Sequence, residues 1–438
     1  NFMNKSLLAC CLSIIFLVSC GGGGGGGSGS STDTVYPIAS VNLSANSASI
    51  LLGNTVTLTW TSSNVTSCSA SGAWTGQKGI RGTETLVVNT AGNNTYTISC
   101  SRTTNYLGSN GTDSASVIVE GYRNTDDIYD EDKDSYCRSP SNTSNEYWLE
   151  DFSNNVFNSN IFTYQLGNGF NASDGTFVGG WGNNELQYYT GPGNGYAKNY
   201  NESLNTTENL FIEDGFLKIQ PIYDNVNLFN DPYCSDRSCT YTWEYTSARV
   251  ITSSKKLFTQ PSELTVCFKV PEGSGHWPAV WLLHEGNIEG TKTWPYDGEI
   301  DVMEARGRVS TEIGSTVHFG TPSNRQMINR NETVPMSVNF HDKFHSITFK
   351  WTENSMQMFM DTAENPFFDV SSDSTEFNNY YYPFNEEFFL ILNIASGGDY
   401  DGGAVDPSMF CSNEACSNLE NPDKGRMLID FIEYKSID

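Results

Sequence analysis

The chain has 438 residues, 37% hydrophobic and 13% aromatic, enough to build two or three folded cores and too apolar for a disordered chain. Its 51 acidic residues outnumber 24 basic ones, for a formal charge of −27. Such a surface repels nucleic acid and anionic lipid, so a polyanionic partner is excluded.

Met3-Asn4-Lys5 precedes an apolar run from Leu7 to Val18, too short for a mature membrane span and of the length of a secretory signal core. The run ends in Leu17-Val18-Ser19-Cys20 before seven glycines. That pattern resembles a bacterial lipoprotein signal over residues 1–20, with Cys20 as the lipidated residue. An ordinary secretory signal cut elsewhere is the alternative. Either way the mature chain is expected to be exported, and in the first case lipid-anchored at the outer membrane or cell surface. Residues 21–34 read as a flexible Gly/Ser linker. Outside the leader eight cysteines remain, an even number suited to an oxidising compartment. Cys68 and Cys100 share one small domain and are the expected pair. Cys234/Cys239 and Cys411/Cys416 have a C-x4-C spacing in polar stretches that suits loop-closing disulfides, and Cys137 and Cys267 are left without an assigned partner.

From 35 to 120, short runs such as "TVTLTWTSS", "TYTISCS" and "SASVIVE" alternate apolar and polar residues between Gly/Asn/Ser turns, the pattern of a small β-sandwich. With Trp60 before Cys68 and Tyr96 before Cys100, the segment resembles a bacterial immunoglobulin-like module, a spacer or a carbohydrate-binding unit. Residues 121–145 are acidic and turn-rich and read as a linker. Asp130, Asp132 and Asp134 have the spacing of a calcium loop, but Ser135 and Ser141 stand where glycine and glutamate are needed.

From 146 to 438, strand-like runs recur with few helical patterns, which predicts one large antiparallel sandwich and an all-β fold throughout. Within it, "WPYDGEIDVMEARG" (294–307) places Glu299, Asp301 and Glu304 two and then three residues apart. Side chains on a strand alternate faces, so Glu299 and Asp301 share one face and Glu304 takes the other unless an extra residue intervenes. A β-bulge at Val302-Met303 restores the parity. Two close carboxyls on one face can act as nucleophile and acid/base in a retaining glycosidase, whereas three solvated acids on an exposed strand would need no chemistry at all. Trp277 and Trp281 in "GHWPAVWLL" share a strand face just upstream and offer rings that stack on sugars. His341 and His345 have the i, i+4 spacing of a zinc helix but run into a strand, which favours a structural role.

"GWGNNELQYYT" (180–190), "YTSARV" (245–250), "GHWPAVWLL", "WPYDGEIDVMEARG", "STVHFG" (315–320), "LILNIASGG" (390–398) and "MLIDFIEY" (427–434) occur in this order. Residues 146–438 thereby resemble glycoside hydrolase family 16, in its laminarinase-like branch. The resemblance implies a β-jelly roll with a concave cleft and a retaining endo-β-1,3-glucanase. Glu299 matches its nucleophile, Asp301 the assisting acid and Glu304 the acid/base. Trp277, Trp281, Trp181, Asn184, Arg249 and His318 match its substrate-binding positions, and Asp151, Gly215 and Asp430 those of a structural calcium. No cofactor is expected for catalysis, and the chain is expected to be a monomer whose partner is a β-glucan. Where the family often shows E-x-R-x-K-x-P, this chain has Thr265 and Cys267 at the charged positions. The 225–245 stretch is long and cysteine-bearing. Family-16 action on mixed-linkage glucan or on a galactan such as agar, a transglycosylase, and a non-catalytic glucan-binding surface protein stay open.

Overall fold

The computed structural model describes residues 37–437, apart from 91, 103–110, 123–128, 173, 193–198, 231–239 and 290–292. The leader with Cys20, the 21–34 linker and the pair Cys234/Cys239 lie outside the described residues.

The N-terminal unit is a two-sheet sandwich. Strands Ser40–Ala45, Thr55–Ser63 and Arg81–Val87 form one sheet, and Ser49–Leu51, Thr112–Tyr122, Gly92–Ser101, Ser67–Gly72 and Gly76–Lys78 the other. Val56, Leu58 and Trp60 of the first pack with Tyr96 and Ile98 of the second and with Trp74 from the turn between two of its strands. Cys68 and Cys100 are bonded as expected, but they are cross-strand neighbours within one sheet. In immunoglobulin domains the corresponding bridge joins the two sheets.

The remainder is a larger sandwich of two eight-stranded antiparallel sheets with a continuous aliphatic and aromatic core between them. One sheet contains, in chain order, β1 (Thr163–Tyr164), β2 (Arg249–Ile251), β3 (His276–His284), β4 (Glu299–Ala305), β5 (Glu312–Thr321), β6 (Asn324–Thr333) and β7 (Phe388–Ser396), arranged β1-β2-β7-β3-β4-β5-β6, with the short strand Leu257–Phe258 as the eighth, also paired to β7. Its inner face is set by alternation: Val280, Leu282, Ile300, Val317, Leu390 and Leu392 point into the core. Their neighbours Trp277, Trp281, Glu299 and His318 are partly exposed on the opposite, open face. The second sheet, which includes Ser262–Lys269, His345–Trp351 and Met427–Ser436, closes the core from behind.

The stretch expected as a linker departs from that reading in its second half. Tyr136 joins the main core, its amide donates to the Phe344 carbonyl, and Cys137 is bonded to Cys267. Arg138 donates to the Asp361 and Ala363 carbonyls. This segment is a strap of the large domain because its aromatic and cysteine residues have buried partners there. The acidic composition hid those anchors. Asp134 is turned to solvent and pairs with Lys343. His345 is fully buried, sharing Asp361 Oδ2 at 2.8 Å and the Val338 carbonyl, so it is structural as its sequence context indicated.

Candidate active site

The uneven spacing of the three acids is a register shift. Against β3, Trp281 pairs with Asp301 but Val280 pairs with Met303; against β5, Asp301 pairs with Thr316 and Glu304 with Gly314. Val302 and Met303 both turn into the core and Glu304 returns to the open face. Ser315 secures the bulge by donating its hydroxyl to the Val302 carbonyl at 2.7 Å. Glu299, Asp301 and Glu304 therefore converge, in the arrangement the bulge predicted.

Each outer carboxyl has its own indole donor. Trp294 Nε1 donates to Glu299 Oε2 at 2.8 Å, and Trp277 Nε1 donates to Glu304 Oε1 at 2.9 Å. His318 on β5 stands beside the other two, its Nε2 3.2 Å from Asp301 Oδ2 and 3.9 Å from Glu299 Oε1. Burial and then the charge of Asp301 push the Glu299 carboxyl up to about 8. The same two causes hold Glu304 well above the usual carboxylate range. Burial works against a charged His318, yet its hydrogen bond to Asp301 and the surrounding carboxylates win and raise it to about 9. The His318 cation, 3.9 Å from Glu299, pulls against that rise and favours the ionised carboxylate.

Along the same face toward β2, the Arg249 guanidinium lies between the rings of Trp181 and Trp281, at 4.3 and 4.8 Å from their centroids. Trp281 Nε1 is held by Asn393 on β7 at 2.7 Å. Trp181 adopts φ 53, inside "GWG", and donates its indole to the Gly167 carbonyl. Two of the expected sugar contacts are engaged within the protein: Asn184 Nδ2 donates to both oxygens of Asp399, and Tyr400 stacks on Trp277 with centroids 5.0 Å apart.

Sequence reasoning passed over Trp294, Glu185, Asn393 and Tyr400. Trp294 lies in the very peptide that carried the acids, five residues before Glu299. Glu185 is buried next to Arg249 and receives bonds from Gln187, Asn183 and Tyr189. Tyr400 is flanked on both sides by paired glycines.

Comparison with known proteins gives this geometry a family. The family model for glycosyl hydrolases family 16 matches residues 219–405. A glucan endo-1,3-beta-glucosidase of Cryptopygus antarcticus is 32% identical over 238 residues, covering 52% of this chain and 76% of that protein. The chain belongs to glycosyl hydrolases family 16. A second relative, glucan endo-1,3-beta-glucosidase A1 of Niallia circulans, is 32% identical over 265 residues, 59% of this chain, and the chain spans 35% of that relative's length. The laminarinase catalytic domain of Thermotoga maritima MSB8 superposes with a TM-score of 0.51 at 28% identity, covering 66% of this chain and 98% of its own. The family-16 domain is thus all-β, as the strand pattern predicted, and a jelly roll, as the resemblance implied.

The expected calcium residues also gather. Asp151 lies close enough to Asp430 that its charge adds to burial in raising the Asp430 carboxyl. The amide of Gly215, on the hairpin Leu210–Glu213 to Phe216–Ile219, donates to Asn155 Oδ1 in the Asp151 loop. Asp151, held down by its hydrogen bonds from Ser153, and Asp430, held up by burial and the Asp151 charge, are oxygen donors of the kind a hard divalent cation takes. Among the described residues the one His/Cys/Asp/Glu trio with ligand-like spacing is Glu299, Asp301 and His318; its histidine is drawn to the charged state, which disfavours a metal there.

Proposed function

We propose that the family-16 domain is a retaining endo-β-1,3-glucanase acting on laminarin-type glucan by double displacement. The observation that carries this reading is the bulge at Val302-Met303, which puts Glu299 and Glu304 on one open face with separate indole donors and Asp301 between them. The Glu299 carboxylate attacks the anomeric carbon. The bond to the leaving sugar breaks, and its electron pair stays on the glycosidic oxygen, which takes the Glu304 proton. Glu304, now a carboxylate, draws a proton from water as the water oxygen displaces Glu299 from the same carbon, restoring both residues. Two inversions conserve the β configuration. His318, through Asp301 and beside Glu299, favours the ionised nucleophile. Arg249, Trp181 and Trp281 would hold the sugars on the β2 side.

The β-1,3 preference is supported by the names of the relatives. Reducing-end assays on laminarin, lichenan and agarose test it, with proton NMR to follow the first anomer released. Laminarin is expected to be the best substrate with the β-anomer first. Faster agarose hydrolysis, or the α-anomer first, would reject the reading.

Calcium at Asp151, Gly215 and Asp430 belongs to the same proposal, in a purely structural role. Chelation with EGTA should lower the thermal midpoint of the wild type and leave Asp430→Asn unchanged. Export with lipidation at Cys20 and a monomeric state are likewise proposed. The disulfides Cys68–Cys100, Cys137–Cys267 and Cys411–Cys416 suit an oxidising compartment. Radiolabelled palmitate entering the wild type but not Cys20→Ser would support the anchor.

A further inference from the structure

Beyond β7 the chain runs Gly397-Gly398-Asp399-Tyr400-Asp401-Gly402-Gly403. All four glycines have positive φ, between 67 and 82, and the three residues between them make one tight turn. The segment is an arm fixed at both ends. On one side Asp399 accepts two bonds from Asn184, at 3.0 and 3.1 Å; on the other Asp401 accepts from Arg308 Nε at 2.8 Å and lies 2.7 Å from its Nη2.

Between these anchors the Tyr400 ring lies nearly parallel to Trp277, inclined by 12°. Gly398 is required for that fit, because a Cβ there would come within 2.9 Å of the Trp277 ring. The Tyr400 hydroxyl reaches to 3.1 Å from where a Cβ on Gly314 would stand, and Gly314 is the β5 partner of Glu304. The arm therefore runs from Asn184 past Trp277 to the flank of Glu304, and Trp277 holds Glu304 by its indole.

We infer that this arm is a positioning element for Glu304: Tyr400 fixes the Trp277 indole, aims the Glu304 carboxyl at the glycosidic oxygen and covers it from water. The inference rests on the reading of Glu304 as the acid/base. The charged groups around Glu304 are Asp301 and Glu299 on its own strand and His318 on β5. Arg306 and Glu312 face Tyr400. Trp277 and Tyr400 add ring surface to this set, so the arm contributes to the burial that keeps Glu304 protonated. Asn184 and Trp277, expected from the resemblance to touch sugar, here act through the arm.

The test uses the full chain with Tyr400→Ala and Tyr400→Phe on two substrates: laminarin, and a dinitrophenyl β-laminarioligosaccharide whose leaving group departs without a proton. Tyr400→Ala should lose roughly 10- to 100-fold in kcat/KM on laminarin and less than about threefold on the aryl glycoside, since only the first needs the acid. Its alkaline limb on laminarin should move to lower pH as Glu304 rehydrates. Tyr400→Phe keeps the ring and should keep both properties. Should Tyr400→Ala not fold, Asp401→Asn, which weakens the Arg308 anchor, should give the same selective loss at smaller size. Equal losses on both substrates, or an unmoved alkaline limb, would overturn the inference. A wild type that hydrolyses neither substrate would instead overturn the enzymatic reading beneath it.

Discussion

Trp294 donates its indole N–H to Glu299 across 2.8 Å while the Arg325 guanidinium sits 4.7 Å above the same ring. The hydrogen bond favours the ionised form of Glu299, opposing the burial and the Asp301 charge that push it up. Trp294→Phe removes the donor and keeps a ring for Arg325. Glu299 should then ionise at higher pH, moving the acidic limb of kcat/KM upward by about one unit, the size expected for a charge-assisted hydrogen bond. The loss in rate should be largest on the acidic limb, below about pH 8, and shrink above it. A pH–rate profile on laminarin with an unmoved acidic limb would contradict the role given to Trp294.

Burial at Glu299, and the carboxylates around His318, make the site costly to fold at alkaline pH. Glu299 rises from 4.5 to about 8 in the folded protein and His318 from 6.5 to about 9. A raised folded value means the native state binds more protons than the unfolded chain, so this stabilisation is complete below the unfolded value and is lost as pH climbs through the folded one. For Glu299 the window is pH 4.5 to 8, and for His318 it is 6.5 to 9. Glu299→Gln removes the first of these dependences. Its thermal midpoint should match the wild type near pH 4.5 and exceed it increasingly toward pH 8, as is common when a strained catalytic group is neutralised. Melting curves that stay parallel across that window would refute the assignment.

Much of this site is legible in one peptide. The 2-then-3 spacing of Glu299, Asp301 and Glu304 needs only the two-residue period of a strand to demand a bulge, and the bulge is there. The sandwich follows from alternation in runs such as "SELTVCFKV", whose inward residues Leu264, Val266 and Phe268 enter the core. What stayed hidden depends on contacts far apart in sequence. No local pattern says that Asp399 will meet Asn184, 215 residues away, or that Tyr400 will cover Trp277. The strap is hidden for the same reason: acidity and turn residues describe its solvent side, while Tyr136 and Cys137 find partners more than a hundred residues downstream.

That strap should behave as part of the domain. The Cys137–Cys267 bridge closes a loop with a sequence separation of 130, and Thr265, at the other departure from the family pattern, pairs its hydroxyl with Thr348 at 2.9 Å. Replacing both cysteines by serine frees a long segment in the unfolded state and should reduce stability by about 2–5 kcal/mol. Denaturant unfolding of Cys137→Ser/Cys267→Ser against wild type measures it. Activity at 25 °C should persist, because the bridge lies in the second sheet and the acids on the first. An unchanged midpoint would mean that the strap's buried aromatics alone hold it in place.

Glu185 offers the last test, because it supports the sugar-facing groups from below. It is 8% exposed, burial raises its carboxyl, and the Arg249 cation pulls it back down. Gln187 at 2.6 Å, Asn183 and Tyr189 satisfy its remaining oxygen capacity. Removing one partner of a buried charge pair leaves the other uncompensated, which costs about 3–5 kcal/mol. Glu185→Ala should therefore destabilise the fold strongly. Glu185→Gln keeps the shape and most of the hydrogen bonds but withdraws the charge that orients Arg249 between Trp181 and Trp281. It should fold, raise KM for laminarin roughly tenfold and change kcat little, the pattern of lost uniform binding. If kcat falls instead with KM constant, Arg249 takes part in the chemical step and not only in holding the chain.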